Sequence, residues 1–183
     1  MYKKKVNKLK MRWSILRAWE EGKTGDVIAM IFGKGKVIPN KAMQNGIDIH
    51  KKIEDSKKAP YLLLPSKELK FEVTNTISIN EILDYQGTVD MWDSANKIIY
   101  DWKTGKSGVL AHKKMQLYCY SLLFPEAKWG VIVKISDDLK TEDVALYKFN
   151  SIKREEAKNY ITTLGYEIFT FAESVRNNNF RPF

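Results

Sequence analysis

The chain has 183 residues, of which 44% are hydrophobic and 29% are charged, and this composition is ordinary for a globular protein. A chain of this length can bury a sizeable core without disulfides and is expected to form one domain. The single cysteine, Cys119, excludes an internal disulfide and any cluster that four cysteines would hold. It fits a reducing, intracellular setting, so we expect a cytoplasmic protein.

The net charge is +9, from 31 lysines and arginines against 22 acidic residues. Basic side chains are concentrated near the start of the chain, at Lys3, Lys4, Lys5, Lys8, Lys10 and Arg12. This excess favours a polyanionic partner, above all nucleic acid, but a solvated lysine-rich surface explains it equally well. No apolar run reaches the ~18 residues that a membrane span needs, and none follows the basic start as a secretory signal requires. We therefore expect no membrane association.

Apolar spacing predicts helices at 10–21, 26–32, 39–57, 110–124 and 151–176. Strands are predicted at 68–74, 85–92, 98–103, 129–135 and 144–149. Asp26 and Ser151 are the predicted N-caps of the second and last helices, and the tail is predicted to be a loop. This order indicates an α/β or α+β fold with a central mixed β-sheet flanked by helices.

No linker is long enough to divide the chain, so residues 1–183 are predicted to form a single domain. Within it we expect a basic helical elaboration over residues 1–38 and a core over 39–150. The last helix and tail occupy 151–183.

The most informative stretch of the sequence is Tyr85–Gly105. Asp101 and Lys103 are two apart on a predicted strand, so their side chains share one face of the sheet. If Asp93–Asn96 is a four-residue loop, Asp90 lies opposite Ile99 and is the diagonal neighbour of Asp101, ~7–8 Å away. A five-residue loop would instead turn Asp90 to the other face.

Two carboxylates and a lysine on one face can carry out phosphodiester chemistry. Hard oxygen ligands select Mg²⁺ or Mn²⁺, and such a metal can activate water and neutralise a phosphate. Lys103 could then stabilise the transition-state charge or orient the attacking water, and Gly105 would allow a sharp turn after the strand. Asp90, Asp101 and Lys103 are therefore the predicted catalytic residues, although D-x-K by itself also occurs in hairpins with scattered solvated charges.

The predicted apolar face of the helix at 39–57 comprises Met43, Gly46, Ile47, His50, Ile53 and Glu54. Gly46, four residues before His50, would let the helix approach a sheet closely. An imidazole there can join Asp90 and Asp101 as a metal ligand. A histidine in such a position is also commonly a hydrogen-bonded core residue.

A second pair of polar residues lies on the helix after Lys103. Gln116 and Tyr120 are one turn apart and could hydrogen-bond a phosphate or the lysine itself, or form a half-buried polar pair. Lys113 and Lys114, near the start of that helix, could contact nucleic-acid phosphates or belong to an exposed basic turn.

Four spaced motifs follow one another in the chain: G-x-x-x-H at 46–50, G-x-x-D at 87–90, D-x-K-T-G at 101–105 and Q-x-x-x-Y at 116–120. This ordered set resembles the RecB-type branch of the PD-(D/E)xK nuclease superfamily over residues 40–125. The resemblance implies a restriction-endonuclease-like core. It also implies Mg²⁺ or Mn²⁺ held by His50, Asp90 and Asp101, a catalytic Lys103, and DNA handling by Gln116 and Tyr120.

Some members of this branch bind an iron–sulfur cluster through four cysteines, which this chain does not have. We therefore expect no such cluster. By this resemblance, the cluster-free members of the branch, including compact phage, viral and mitochondrial nucleases, are the closer models.

The resemblance predicts a metal-dependent deoxyribonuclease, an exonuclease or a single-strand nuclease of DNA processing, recombination or repair. Its expected partner is DNA, as ends or single strands. The sequence leaves open a homo-oligomer, a recombination or repair partner protein, and the polarity of digestion. The alternative is a non-catalytic nucleic-acid-binding or scaffold subunit on a nuclease fold, which the net charge favours and the intact acid pair and lysine oppose.

Overall fold

The computed structural model describes residues 8–33, 40–105 and 111–177. The predictions made for Lys3–Lys5 and for the tail beyond residue 177 lie outside these ranges. The helices are α1 (Trp13–Glu20), α2 (Thr24–Phe32), α3 (Lys41–Ser56), α4 (Ala111–Leu123) and α5 (Ser151–Asn177). The strands are β1 (Leu9–Met11), β2 (Leu69–Ser78), β3 (Leu83–Asp93), β4 (Ile98–Lys103), β5 (Trp129–Ile135) and β6 (Thr141–Lys148).

The strands form one six-stranded mixed sheet in the order β1-β3-β4-β5-β6, with β2 also paired to β3. β1 runs parallel to β3 and β4 parallel to β5, whereas the β3–β4 and β5–β6 pairs are antiparallel. Helix α4 connects the two parallel central strands, as a parallel crossover requires. The predicted fold class, a mixed sheet flanked by helices, is confirmed.

The chain divides into two compact units, each built from separate segments. The first comprises Met1–Val37, Thr76–Gly87 and Lys158–Phe183, and the second comprises Ile38–Asn75 and Thr88–Ala157. Within the described part of the chain, no helix is both long and apolar enough to cross a membrane.

Strand β1 is the main difference from the predicted elements in the first unit. It pairs with the start of β3, Leu9 opposite Leu83 and Met11 opposite Tyr85, where the sequence predicted the beginning of a helix. Three residues are too few to show an alternating pattern. The helical pattern of the residues that follow was therefore extended into this strand. In α5, Gly165 leaves room for Leu83, since a Cβ there would lie 2.6 Å from Leu83 Cδ1.

The core of the second unit lies between α3 and one face of the sheet. Its fully buried members include Ile49 and Ile53 of α3, with Ile98, Tyr100 and Trp102 of β4. Because these three β4 residues alternate with Ile99 and Asp101, the latter pair faces the opposite side. Strand β4 is central in the sheet and covered on both faces, so even its aspartate is buried.

Helix α3 presents only part of the predicted apolar face to the core. Asn40 caps it, accepting a hydrogen bond from the Met43 N–H at 2.9 Å, and Ile49 and Ile53 are buried. Met43 and Ile47, which the sequence placed on the buried stripe, are about half exposed. Apolar residues lie on two sides of this helix, Met43 and Ile47 on one and Ile49 and Ile53 on the other, so their spacing alone cannot specify which side faces the sheet.

Both predicted N-caps are wrong. Helix α2 begins at Thr24, so Asp26 lies in its first turn and not at the cap. Helix α5 is capped by Asn150, whose Oδ1 accepts a hydrogen bond from the Lys153 N–H at 2.8 Å, and Ser151 is its first helical residue. Asparagine and serine cap helices about equally well, so adjacent candidates cannot be separated by residue type.

Candidate functional site

The site is built on the antiparallel pair β3–β4. Met91 pairs with Tyr100, so one further step along both strands places Asp90 opposite Asp101. The sequence predicted Ile99 as the partner of Asp90, and this prediction is wrong: the partner is Asp101, two residues further along β4. A shift of two residues preserves the face of the sheet, so the two carboxylates share one face as the sequence predicted.

The register differs because Asp93 belongs to the strand. The four-residue connection is 94–97 and not the predicted Asp93–Asn96. The Asp93 carboxylate is fully buried and accepts hydrogen bonds from Ser66 Oγ at 2.7 Å and from the Asn96 N–H at 3.1 Å. These local bonds keep an otherwise turn-favouring residue at the strand end.

Asp101 and Lys103 form a buried ion pair. Lys103 Nζ lies 2.7 Å from Asp101 Oδ2, and the aspartate side chain is 3% exposed. Burial raises the pKa of Asp101 to about 6. The positive charge of Lys103 lowers this pKa, and the negative charge of Asp90 raises it further. Burial disfavours the lysine ammonium, but the attraction of Asp101 and Asp90 outweighs it and raises the pKa of Lys103. The pair therefore keeps its lysine charged.

Asp90 connects β4 with helix α3. One carboxylate oxygen accepts a short hydrogen bond from the backbone N–H of Trp102, and the other lies 3.3 Å from His50 Nδ1. Burial opposes the charged imidazole, but the contact with Asp90 and the nearby Asp101 outweigh it, so the pKa of His50 is raised. The His50 imidazole therefore faces Asp90, and its role as a metal ligand stays a prediction.

A glycine allows α3 to come close enough for this contact. A Cβ at Gly46 would lie 2.9 Å from Oγ1 of Thr104, the residue directly after β4. The helix therefore approaches the end of β4 at Gly46, and His50 follows one turn later. Gly105 has a φ of +90°, so the chain leaves β4 through the sharp turn that the sequence predicted.

Gln116 and Tyr120 lie behind the lysine on α4. Lys103 Nζ donates to Gln116 Oε1 at 3.0 Å, and Gln116 Nε2 donates to the Tyr120 hydroxyl at 2.7 Å. Both side chains are buried, and burial, with the charges of Asp101 and Asp90, raises the pKa of Tyr120 well above its usual value. Of the contacts that the sequence allowed for Gln116, the structure shows the hydrogen bonds with Lys103 and with Tyr120.

The two lysines at the start of α4 lie in different surroundings. Lys114 Nζ is 5.7 Å from the ring centroids of both Tyr118 and Tyr147, a distance at which a cation is attracted to an aromatic face. Burial and the positive charge of Lys103 lower the pKa of Lys113. The Lys113 side chain therefore lies close enough to Lys103 to interact with it electrostatically. Their contact with DNA phosphates stays a prediction.

Glu72 is a member of the site that sequence reasoning missed. It has a φ of +49° within β2, a conformation that is uncommon for residues other than glycine. One ligand atom each from His50, Glu72 and Asp90 lie within 4.8 Å of one another. Burial raises the pKa of Glu72 to about 7, and the charge of Asp90 adds to the rise. In the sequence, Glu72 looks like a solvent-facing residue of an alternating strand. No residue type near it predicts its positive φ.

Together these residues offer a donor set suited to a divalent cation. Asp90 contacts His50 and lies opposite Asp101, while Glu72 approaches from β2. Carboxylate oxygens with one imidazole suit Mg²⁺ or Mn²⁺ better than a soft metal. We call His50, Glu72, Asp90, Asp101 and Lys103 the candidate site.

The fold is similar to those of solved exonucleases. A phage-related exonuclease from Haemophilus somnus 129PT is 15% identical with a TM-score of 0.60, and the match covers 92% of this chain and 98% of that chain. An alkaline exonuclease from Laribacter hongkongensis is 12% identical with a TM-score of 0.58, covering 96% of this chain and 94% of that chain. Its complex with dAMP matches at the same identity and coverage, with a TM-score of 0.59.

At these identities the likeness establishes a shared fold. The fold that this resemblance implied is thus one that the chain shares with known exonucleases. No family model and no curated protein matches the sequence.

Proposed function

We propose that this protein is a metal-dependent deoxyribonuclease that hydrolyses phosphodiester bonds. The observation that carries the proposal is the meeting of Asp90, Asp101 and Lys103 with His50, although these residues come from three separate elements. The exonuclease-like fold supports the same conclusion. Within this class we favour an exonuclease or single-strand nuclease of DNA processing, recombination or repair.

The proposed metal ligands are His50, Asp90 and Asp101, with Glu72 as an added carboxylate. When bound, Mg²⁺ or Mn²⁺ supplies a water of lowered pKa and a positive charge beside the scissile phosphate. The raised pKa values of Glu72 and Asp101 show how costly uncompensated negative charge is at this position. A cation among these carboxylates would offset that cost.

Lys103 is the proposed catalytic cation. Its ammonium group has three N–H donors. One donates to Gln116 Oε1, and Asp101 Oδ2 lies 2.7 Å away as the ion-pair partner. A remaining N–H can reach a phosphate oxygen or the attacking water. A fixed ammonium in a buried site stabilises developing negative charge more strongly than one in water.

DNA is the proposed partner, as free ends or single strands. The net charge of +9 favours binding to a polyanion and predicts an affinity that falls with salt. The same charge also supports the competing function, a subunit that binds nucleic acid without cutting it.

Digestion of 5′-labelled, 3′-labelled and circular DNA with Mg²⁺, Mn²⁺ or EDTA tests the proposal. We expect cutting that requires the metal and is lost in Asp101→Asn and in Lys103→Met, each of which should keep its far-UV circular dichroism. Lys70→Met, at an exposed position on β2, is the matched control and should cut normally. Unchanged cutting by either site variant would refute the assignment. Binding without product under every metal and end structure would favour the non-catalytic subunit.

A further inference from the structure

A cavity of about 600 Å³ lies beside the candidate site, along helix α3. Its lining includes His50, Met43 and Ile47 of α3, Glu72 of β2 and Thr104 after β4. We call it the α3 cavity. It thus has two proposed metal ligands in its wall and an apolar surface next to them.

The apolar part of the wall is not explained by the fold. Met43 is 48% exposed and Ile47 is 50% exposed, and they lie one helical turn apart, so their side chains are neighbours. Ile49 and Ile53 already bury α3 against the sheet. Single exposed apolar residues are normal on protein surfaces, but an adjacent pair lining a concave space beside charged groups is typical of a ligand site.

We propose that the α3 cavity binds the base and sugar of the nucleotide next to the scissile phosphate. This inference rests on the proposed function and names its substrate more closely. A nucleotide joins an anionic phosphate directly to a flat, largely apolar ring. The cavity has the complementary arrangement, with the proposed metal ligands beside Met43 and Ile47.

The state of the substrate follows from this arrangement. Cavities of roughly 300–1,000 Å³ accept small ligands, and the α3 cavity falls within that range. The α3 cavity is broadly open to solvent, so it offers a base an apolar wall against which one ring face can lie. In a duplex the ring faces of a base are covered by its stacked neighbours, and exposing them costs least when the strand is already single or frayed. The inferred substrate is therefore an unpaired nucleotide of a single strand or an opened end.

Binding of two small phosphates tests the inference without any variant. Isothermal titration in the presence of Ca²⁺ or Mn²⁺ should show dAMP binding at least tenfold more tightly than deoxyribose 5-phosphate, which has no base. Equal affinity of the two compounds would overturn the inference. The proposed function would stand in that case if the wild-type protein still cuts DNA and Asp101→Asn does not.

Variants then locate the effect. In Met43→Gln/Ile47→Gln the dAMP affinity should fall to within about twofold of the deoxyribose 5-phosphate affinity, while the latter stays unchanged. Ile152→Gln, which replaces an apolar residue that is 66% exposed and does not line this cavity, should keep the full tenfold preference. The double variant should also raise KM for a single-stranded oligonucleotide but not for one with abasic residues at both ends. A preference for dAMP that survives in the double variant would place the base elsewhere and overturn the inference.

Discussion

Lys103 Nζ donates a hydrogen bond of 3.0 Å to Gln116 Oε1, which joins the end of β4 to the buried side of α4. The amide is held in turn by its bond to the Tyr120 hydroxyl. A lysine side chain has several rotatable bonds and loses much freedom when it is fixed. The Gln116–Tyr120 pair therefore positions the ammonium before any substrate arrives.

Removing the amide should misplace the lysine without removing it. In Gln116→Ala we expect kcat to fall ~10–100-fold, the usual effect of losing a partner that orients a functional group, with little change in KM. Tyr120→Phe should have a smaller effect in the same direction, since it removes the amide's partner and leaves the amide itself. Steady-state digestion of a labelled oligonucleotide measures both.

The predicted split between kcat and KM distinguishes positioning from direct substrate binding. If Gln116 instead contacted DNA, Gln116→Ala would raise KM and leave kcat near the wild-type value. That outcome would contradict the positioning role.

Gly46 should not tolerate a methyl group, although alanine favours helices over glycine by ~1 kcal/mol. A Cβ there would lie 2.9 Å from Thr104 Oγ1, so Gly46→Ala should push α3 away from β4 and carry His50 away from Asp90. We expect weaker Mn²⁺ binding by about tenfold or more in isothermal titration, and no gain in stability.

Gly25→Ala is the matched control, because Gly25 lies in α2 with nothing within 4 Å of its added Cβ. It should raise the unfolding free energy by up to about 1 kcal/mol and leave Mn²⁺ binding unchanged. If both variants were stabilised and bound Mn²⁺ like the wild type, the close approach of α3 would not matter for the site.

Glu72 should make the metal-free protein less stable as the pH rises. Its pKa is raised from 4.5 to about 7 in the folded state, so folding favours the protonated carboxyl. The stability from that proton is complete below about pH 4.5 and is lost as the pH rises through about 7. At pH 8 in EDTA, Glu72→Gln should therefore be more stable than the wild type by ~1–2 kcal/mol, after allowance for solvent screening.

Urea unfolding at pH 5 and pH 8 measures this effect, and most of the advantage of Glu72→Gln should be gone at pH 5. Added Mn²⁺ should then stabilise the wild type more than the variant at pH 8, because the variant lacks one carboxylate ligand. A difference between the two proteins that does not change with pH would contradict the burial of this charge.

The N-terminus of α5 offers a test of local structure alone. Asn150→Ala should lower the unfolding free energy by about 1 kcal/mol, because it removes the acceptor of the Lys153 N–H. Ser151→Ala should change it by less than about 0.5 kcal/mol, since Ser151 is already inside the helix. The opposite ranking in urea unfolding would show that serine is the cap.

Strongly patterned features were predictable from the sequence and weakly patterned ones were not. The strand of Asp101 and Lys103 was placed correctly because β-branched and aromatic residues fill it and polar turn residues precede it. The three residues of β1 carry no such pattern. The partner of Asp90 was wrong because an aspartate fits a strand end as well as a turn, and buried hydrogen bonds to Asp93 decide between them.

The sequence by itself determined the fold class and, apart from Glu72, the residues of the candidate site, because apolar periodicity and motif spacing are properties of the chain read in order. Tertiary structure decided which atoms meet. The positive φ of Glu72, the close approach of α3 at Gly46 and the bond from Lys103 to Gln116 all depend on packing between segments distant in the chain. Such contacts are selected by the free energy of the whole unit, which no local pattern encodes.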